Sequence, residues 1–183
     1  MLKRNPKSKF VPGQFVFPGG AVDVKDQLID EVETVSSGLD DYQASDRLSI
    51  ESGGLAYWVA AIRECFEEAG ALLARLDGED LPLTDPEVHE RFQNHRNAIY
   101  DGDLTMVDLC RIEGLSMNFH DLRYVSHWIT PIGPPRRFDT RFFVARAPLA
   151  QRPAHDGGET VESCWITPRE AMDLQQAGKF EMI

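Results

Sequence analysis

Residues 63–70, Arg63-Glu64-Cys65-Phe66-Glu67-Glu68-Ala69-Gly70, lie in the most regular helical pattern of this chain. From Leu55 to Leu73 the apolar residues recur at steps of three and four, which places them in one stripe on an α-helix. Glu64, Glu67 and Glu68 stand at i, i+3 and i+4 and share one helix face. With Glu64 at 0°, the other two lie at about −60° and +40°, whereas the apolar stripe lies at about 180°. The acids therefore point away from the side of the helix that packs.

Three carboxylates on one helix face favour the binding of a hard cation. Like charges at these spacings repel each other, and a bound cation removes that cost. Mg²⁺ prefers carboxylate oxygens and keeps waters and substrate phosphates in its octahedron, which suits an open face. Taken alone, the residues also fit a solvated acidic surface that a pair between Arg63 and Glu67 at i, i+4 partly neutralises.

A glycine-rich turn precedes this helix in the chain. The segment Phe10–Phe17 mixes β-forming residues with Pro12 and Gly13 and ends at Pro18-Gly19-Gly20. A short strand that runs into a glycine turn is therefore predicted. On its own, the glycine pair also fits an ordinary tight turn.

The turn and the helix together resemble the Nudix box, which is a glycine, five residues, a glutamate, seven residues and then R-E-U-x-E-E-x-G-U, with U aliphatic. Gly20 is the glycine, and the second half carries all its defining residues: Arg63, Glu64, Glu67, Glu68 and Gly70. The first half departs from the pattern, since Asp26 stands at the glutamate position and 36 residues, 27 to 62, separate it from the arginine. Cys65 and Ala71 are small for U positions.

A box split in this way, together with Phe17-Pro18-Gly19-Gly20-Ala21-Val22-Asp23 and Arg136-Arg137-Phe138-Asp139-Thr140-Arg141-Phe142-Phe143, resembles the mammalian Nudix type 19 subgroup and its bacterial relatives over most of the chain. The resemblance implies an α/β fold, a three-layer α/β/α sandwich with a mixed sheet. It also implies hydrolysis of the diphosphate linkage in a nucleoside diphosphate derivative. Enzymes of this subgroup cleave coenzyme A and its thioesters into 3′-phospho-AMP and a 4′-phosphopantetheine. ADP-ribose, NADH and dinucleotides are alternative substrates, and a catalytically silent nucleotide-binding domain is an alternative function.

The resemblance also implies roles for individual residues. Arg63 would orient the carboxylates by ion pairing, and the catalytic base would be Glu64, Glu159 or Glu162, because families with this box place the base variably. Mg²⁺ or Mn²⁺ would be held by the helix carboxylates and by a carbonyl of the glycine turn: Glu64, Glu67, Glu68 and Gly20, or Gly19 in its place.

Substrate contacts are expected from the glycine turn, Gly19 and Gly20, and from the densest group of cations near a predicted strand. These cations are Arg136, Arg137 and Arg141, which fit bidentate phosphate binding and fit solvated surface arginines equally well. The aromatic residues of the predicted strands could stack on an adenine, but core packing is expected for them: Trp128, Phe142, Phe143 and Trp165. The five histidines show no metal-binding pair at i, i+4.

Length and composition set the broad class. At 183 residues, with 42% apolar residues, the chain fits one domain, residues 1–183, with a substantial core. It has no run of about 18 apolar residues and no signal-peptide core, so a cytoplasmic protein without membrane contact is predicted. The net charge of −11 argues against general nucleic-acid binding. The resemblance implies a small nucleoside diphosphate as the partner. Cys65, Cys110 and Cys164 lack metal-ligand spacing and are expected to be buried thiols.

The remaining segments predict intermixed strands and helices. Nine acids and two bases between Asp23 and Glu51 mark an acidic insertion at about 24–54, for which composition favours a disordered loop over a lid or an acyl-chain site. A proline-capped helix that runs to about Tyr100 and a short helix at 105–112 give a helical segment at about 84–113. Strands at 122–129, 141–147 and 160–166, a loop at 131–135 and a final helix that opens with a capping box at 167–170 and ends at Gly178 complete the prediction.

The start of the chain carries one further expectation. Related chains have a strand before the segment Leu2-Lys3-Arg4, so the resemblance implies that the first strand of the fold is missing. A missing strand leaves backbone groups open to another chain. Poor solubility or a homodimer is therefore predicted.

Overall fold

The computed structural model describes residues 1–133 and 136–182, so Pro134 and Pro135 of the predicted loop and the last residue, Ile183, lie outside the described residues. The described elements are β1 (Leu2–Arg4), β2 (Phe15–Val16), a 3-10 turn (Val24–Gln27), α1 (Ile29–Glu33), β3 (Ser36–Ser37), α2 (Asp41–Leu48), α3 (Leu55–Ala69), β4 (Ala74–Leu76), β5 (Glu79–Asp80), α4 (Pro86–Tyr100), α5 (Met106–Glu113), β6 (Leu115–Asn118), a second 3-10 turn (Phe119–Asp121), β7 (Leu122–Ile129), β8 (Asp139–Ala145), β9 (Thr160–Ser163) and α6 (Pro168–Gln176). None of these helices has the length and apolar content that a membrane span requires.

The strands form three small sheets. In the first, β1 lies between β2 and β9 and is antiparallel to both. The second has the order β3-β6-β4-β5 and is mixed, because β3 is parallel to β6 whereas the other pairs are antiparallel. The third is the antiparallel hairpin of β7 and β8. The prediction of an α/β fold is confirmed.

The helix α3 is the centre of the main core. Its apolar stripe is buried as predicted, with Leu55, Val59, Ile62 and Phe66 all within the core. Trp58, one position before Val59, packs against Phe143 of β8 with ring centroids 4.9 Å apart. Each such side chain contributes about 1.5–3 kcal/mol when it is fully removed from water. The glutamates on the other face are therefore carried by one of the best-anchored helices of the protein.

The acidic insertion is folded, which contradicts the prediction of a disordered loop. It forms α1 and α2, and it contributes Val32, Leu39, Ala44 and Leu48 to the main core. The acids that dominate its composition lie mostly on the surface, while the few apolar residues recur at helical spacing and pack inwards. Net composition was misleading because a short segment that packs on an existing core needs only a few buried residues to be ordered.

Most predicted elements are present with shifted ends. The helices α4, α5 and α6 begin at or within one residue of the predicted starts, and Thr167 and Glu170 make the predicted reciprocal capping bonds of α6. The strand at 10–17 shrinks to two residues, because Val11 adopts a φ of +40° and the proline that follows it cannot donate a ladder hydrogen bond. The predicted strand at 160–166 ends at Ser163.

The aromatic residues do not all pack as predicted. Phe143 lies against the core, and Phe142 packs edge-on to Phe17 with centroids 6.5 Å apart. Trp128 and Trp165 are 70% and 78% exposed, so the prediction of core packing is wrong for both. The three cysteines are free thiols, of which Cys110 is buried whereas the other two are half-buried.

Candidate active site

The glycine turn lies directly over the glutamate face of α3. The amide of Gly19 donates a hydrogen bond of 3.1 Å to Glu68 Oε2. Gly20 approaches Glu64 so closely that a Cβ atom at this position would lie 2.7 Å from Glu64 Cδ. Only a residue without a side chain fits there while Glu64 keeps its place. The two halves of the predicted box therefore meet in space, despite the insertion that separates them in the chain.

Arg63 links three carboxylates in one hydrogen-bonded network. Its Nη1 donates to Glu64 Oε1 at 2.9 Å and to Glu67 Oε2 at 3.0 Å. Its Nε and Nη2 donate to the two oxygens of Asp26 at 3.0 Å each, and Nη2 also reaches the carbonyl of Ala21. Burial lowers the pKa of Arg63, but the hydrogen bond and charge of Asp26 outweigh that effect and hold it above its ordinary value. This geometry is the one expected of an arginine that orients carboxylates.

Asp26 occupies the position at which the box departs from its pattern. The residue is only 2% exposed, and it also accepts a hydrogen bond of 2.8 Å from the amide of Asp23. A buried carboxylate is tolerated here because it is paired with the guanidinium of Arg63. The shorter acid thus still neutralises the box arginine, so the departure from glutamate preserves the ion pair.

The glutamate face is more covered than the helix period indicates. Glu68 is only 7% exposed, and the side chains of Glu64 and Glu67 are 13% and 12% exposed. Burial raises the pKa of Glu64 and of Glu67, and it raises the pKa of Glu68 to about 8. The alternative of a solvated acidic surface does not fit this burial, which the helix period could not indicate, because the period gives the direction of a side chain but not what the rest of the chain places over it.

The two candidate base residues outside the helix occupy different surroundings. Burial is the main cause of the raised pKa of Glu64 and Glu68, and the negative charge of Glu159 adds to it, which places Glu159 beside the box. Glu162 instead pairs with Lys3 across β1 and β9 at 3.3 Å. The structure thus brings Glu159, but not Glu162, to the other glutamates.

Arg4 is a residue of the site that the sequence did not reveal. It lies on β1, and its Nη2 is 4.0 Å from Glu159 Oε2. Its Nε is buried and has no hydrogen-bond partner among residues 1–133 and 136–182. An arginine at the start of the chain carries no local signal of such a position, because only the pairing of β1 with β9 brings it to the box.

The three arginines predicted to bind phosphate are dispersed. Arg136 is exposed and lies over the ring of Phe138, 5.1 Å from its centroid, and Arg137 donates to the carbonyl of Thr130. Arg141 has its guanidinium carbon 4.4 Å from the ring centroid of Tyr57 on α3. Tyr57 precedes Glu64 by seven residues, or about two turns, and therefore lies on the same helix face. Of the three, Arg141 is the one that the described contacts bring to α3.

No three His, Cys, Asp or Glu side chains within the described ranges are arranged to hold a metal ion directly. In the network of Arg63, Nη1 engages one oxygen each of Glu64 and Glu67. Glu68 faces the glycine turn instead. The donor types suit a hard cation, and the second oxygens of the two paired carboxylates carry no hydrogen bond from the arginine.

A mixed α/β domain with a glutamate-bearing helix beneath a Gly-Gly turn defines a Nudix-type domain. The sequence profile of the NUDT19 Nudix domain matches residues 38–182. The chain belongs to the NUDT19 Nudix domain family. The match begins inside the acidic insertion, so α2 and its contact with α3 fall within the family region.

Individual relatives agree with this assignment. The chain is 29% identical to the acyl-coenzyme A diphosphatase NUDT19 of Xenopus laevis over 98% of its own length and 55% of the relative's. It is 30% identical to a putative nudix hydrolase 7 of Caenorhabditis elegans over 100% of its own length and 50% of the relative's. The chain therefore spans about half the length of the curated relatives it matches.

A solved structure shares the whole fold. A Nudix hydrolase from Alicyclobacillus acidocaldarius superimposes with a TM-score of 0.70 at 26% sequence identity. The similarity covers 100% of this chain and 76% of that chain. The arrangement of the turn, α3 and the strands around it is therefore that of a Nudix fold.

Proposed function

We propose that this chain hydrolyses the diphosphate linkage of a nucleoside diphosphate derivative with the help of a divalent cation. The observation that carries the proposal is the carboxylate cluster of α3, ordered by Arg63 and covered by the Gly19-Gly20 turn. Coenzyme A or an acyl-CoA is the first candidate substrate, because relatives over nearly the whole chain are named acyl-coenzyme A diphosphatases. The products would be 3′-phospho-AMP and a 4′-phosphopantetheine.

Mg²⁺ or Mn²⁺ fits the donor atoms of this site. Glu68 is a buried carboxylate whose raised pKa marks the cost of its charge, and an adjacent cation would remove that cost. Together with Glu64, Glu67 and a carbonyl of Gly20 or Gly19, it would hold the ion. When bound, such an ion neutralises phosphate oxygens and lowers the pKa of a coordinated water.

The protein's own residues supply orientation and a base. Asp26 fixes Arg63, which in turn fixes the carboxylates of Glu64 and Glu67. Glu159 is the better placed loop base, because its side chain is 49% exposed to water and lies beside the box, whereas Glu162 is paired with Lys3. Glu64 is the alternative base, although its carboxylate is engaged by the arginine.

A substrate panel tests this proposal. Coenzyme A, acyl-CoA, ADP-ribose, NADH and dinucleoside polyphosphates are incubated with the protein and Mg²⁺ or Mn²⁺, and the products are identified by mass. We expect diphosphate cleavage that EDTA abolishes and that Glu67→Gln combined with Glu68→Gln lowers by about 100-fold or more, as for other losses of transition-state charge stabilisation. Glu159→Gln is expected to lower turnover at least about 100-fold if it is the base, with Glu162→Gln near wild type.

The control is Glu90→Gln, which removes an exposed acid of α4 and should leave turnover unchanged. Full activity of the double variant would disprove the metal-site assignment. Turnover of ADP-ribose or NADH in preference to coenzyme A would support the proposed reaction type but contradict coenzyme A as the substrate.

A further inference from the structure

The tip of the hairpin of β7 and β8 exposes large apolar side chains to solvent. Trp128 and Ile129, the last two residues of β7, are 70% and 55% exposed, and Ile132 in the connection that follows is 90% exposed. The other end of the hairpin differs, since Leu122 is buried and Phe143 packs against the main core. A group of adjacent apolar side chains that stay in water marks an interaction surface rather than core packing.

The fold brings the first segment of the chain to the base of this tip. The ring of Phe10 lies 4.9 Å from the ring of Phe138, centroid to centroid. The guanidinium carbon of Arg136 lies over both rings, 5.8 and 5.1 Å from their centroids. Arg137 donates from Nε to the carbonyl of Thr130, the residue that follows β7, at 2.8 Å. Two segments that are distant in the chain therefore meet beside the exposed apolar residues.

The two segments carry a charge opposite to that of the chain. Residues 5–17 and 122–138 contain five of the 19 Lys and Arg residues and none of the 30 Asp and Glu residues. The first acid after them, Asp139, forms a salt bridge with Arg141 at 2.8 Å, which partly neutralises its charge. The exposed cations within two residues of the paired phenylalanines are Lys9, Arg136 and Arg137. The tip is therefore a positive region on an acidic protein.

The combination of apolar and cationic groups indicates the kind of partner. A membrane surface with anionic lipids accepts apolar side chains at the boundary of its acyl chains and attracts Lys and Arg to its headgroups. Tryptophan favours this interface, because its ring is apolar and its N–H is polar. A nucleic acid would engage the arginines but leave Ile132 in water, and two copies of this chain joined tip to tip would bring like charges together. Charge and exposure together therefore favour a bilayer.

We propose that the hairpin tip docks this protein on the surface of a membrane that carries anionic lipids. The apolar residues that enter the interface are Trp128, Ile129 and Ile132, and the cations that meet the headgroups are Lys9, Arg136 and Arg137. The sequence predicted no membrane contact because it has no long apolar run, but docking on a surface requires only apolar side chains beside cations. This docking does not depend on the proposed reaction.

Vesicle binding tests the docking with the whole chain. Co-sedimentation is measured with vesicles of phosphatidylcholine alone and of phosphatidylcholine mixed with phosphatidylserine, at low and at high salt. We expect the mixed vesicles to bind the protein at least about 10-fold more tightly at low salt, and high salt to remove most of this preference. Arg136→Gln combined with Arg137→Gln should weaken binding to the mixed vesicles by about 25-fold, or about 5-fold for each charge.

The apolar side chains are tested separately. Trp128→Ser combined with Ile132→Ser should weaken binding to the mixed vesicles by about 10-fold or more, because less apolar surface leaves water. In Trp165→Phe, Trp128 is the exposed tryptophan that remains, since Trp58 is buried. Its fluorescence emission should shift to shorter wavelengths when mixed vesicles are added, because the indole ring then leaves water.

The matched controls are Trp165→Phe and Arg123→Gln, which change an exposed tryptophan and an exposed arginine away from the tip. Both should bind vesicles like the wild type. Equal or no binding of the wild type to the two kinds of vesicle, or unchanged binding of both tip variants, would overturn the proposal, as would equal losses in the controls. Light scattering covers the other occupant: tip variants that convert a dimer to a monomer but keep vesicle binding would make the tip an interface between copies.

Discussion

Three glutamates on one helical turn have different surroundings, and the difference decides what each can do. Glu64 and Glu67 share the guanidinium of Arg63, so part of their charge is already neutralised. Glu68 accepts a hydrogen bond from the amide of Gly19, and within the described ranges it forms no ion pair. Under the proposed function, a divalent cation would be stabilised most by the charge of Glu68, while the network of Arg63 holds the other two carboxylates close by.

Gly20 offers the sharpest test at the scale of one residue. In Gly20→Ala, the new Cβ would lie 2.7 Å from Glu64 Cδ, so the carboxylate of Glu64 has to move away from Arg63. We expect turnover to fall by about 10- to 100-fold, since a displacement on the order of 1 Å is enough for such a loss. Stability should change by no more than about 1 kcal/mol, because the displaced group is the end of a flexible side chain.

Steady-state kinetics and urea unfolding of the same preparation measure the two effects of Gly20→Ala. Unchanged turnover would show that the position of Glu64 against the turn does not matter for the reaction. A large loss of stability instead of activity would show that the glycine serves the fold alone.

At the scale of elements, α3 is held at both ends by side chains from distant parts of the chain. Asp41 of α2 accepts hydrogen bonds from the amides of Gly53 and Leu55, at 2.9 and 3.0 Å. At the other end, Arg96 of α4 donates to the carbonyl of Glu67. These contacts satisfy backbone groups that a helix leaves free at its termini. The insertion thus helps to cap the helix that carries the glutamates.

We expect Asp41→Ala to destabilise the protein by about 1 kcal/mol, the usual cost of losing a capping side chain. Asp46→Ala, on the same helix but exposed, is the matched control and should change the free energy of unfolding by less than about 0.5 kcal/mol. Urea unfolding measures both. If the two variants are equally stable, the insertion does not support the start of α3 through Asp41.

The sequence predicted those features that depend on neighbouring residues. The start and buried stripe of α3, and the starts of α4 and α6, follow from periodicity and capping residues. The end of α3 came earlier than the pattern that runs to Leu73, because Gly70 takes the left-handed conformation and stops the helix. Local signals were thus sufficient for these helices but not for α1 and α2 of the insertion, which the composition did not predict. The meeting of the two box halves was expected from the family pattern.

What could not be predicted depends on distant contacts. The cover over Glu68 comes from a turn 49 residues away in the chain, and Arg4 reaches Glu159 only through the pairing of β1 with β9. The exposure of Trp165 was missed for the same reason, since aromatic character indicates burial only when another element lies over the residue. The pairing of sheets and the packing of the insertion set these outcomes.

At the scale of the whole molecule, the net charge of −11 opposes an anionic substrate. The acids of α1 and α2 lie mainly on the surface of the insertion, while Arg4 and Arg63 lie at the carboxylate site. A bound cation would add to this local positive charge. Charge distribution, rather than net charge, therefore decides whether a phosphate compound can approach.

Binding of a divalent cation should raise the thermal stability of the whole protein. A cation that binds only the folded state, at a concentration 100 times its Kd, raises the free energy of unfolding by about 2.7 kcal/mol. For a domain of this size, that corresponds to a rise in Tm of roughly 5–10 °C. We expect Mg²⁺ or Mn²⁺ to produce such a rise by scanning calorimetry. Sodium chloride at equal ionic strength is the control, because it screens the acidic surface without occupying the site.

The variant that replaces Glu67 and Glu68 by glutamine should be at least as stable as the wild type without a cation, because it removes crowded charges, and it should lose most of the rise in Tm. A rise that the variant retains in full would place the stabilising cation elsewhere on the acidic surface. If sodium chloride produces the same rise in Tm, the rise comes from charge screening alone. That result would contradict a cation site at the carboxylates of α3.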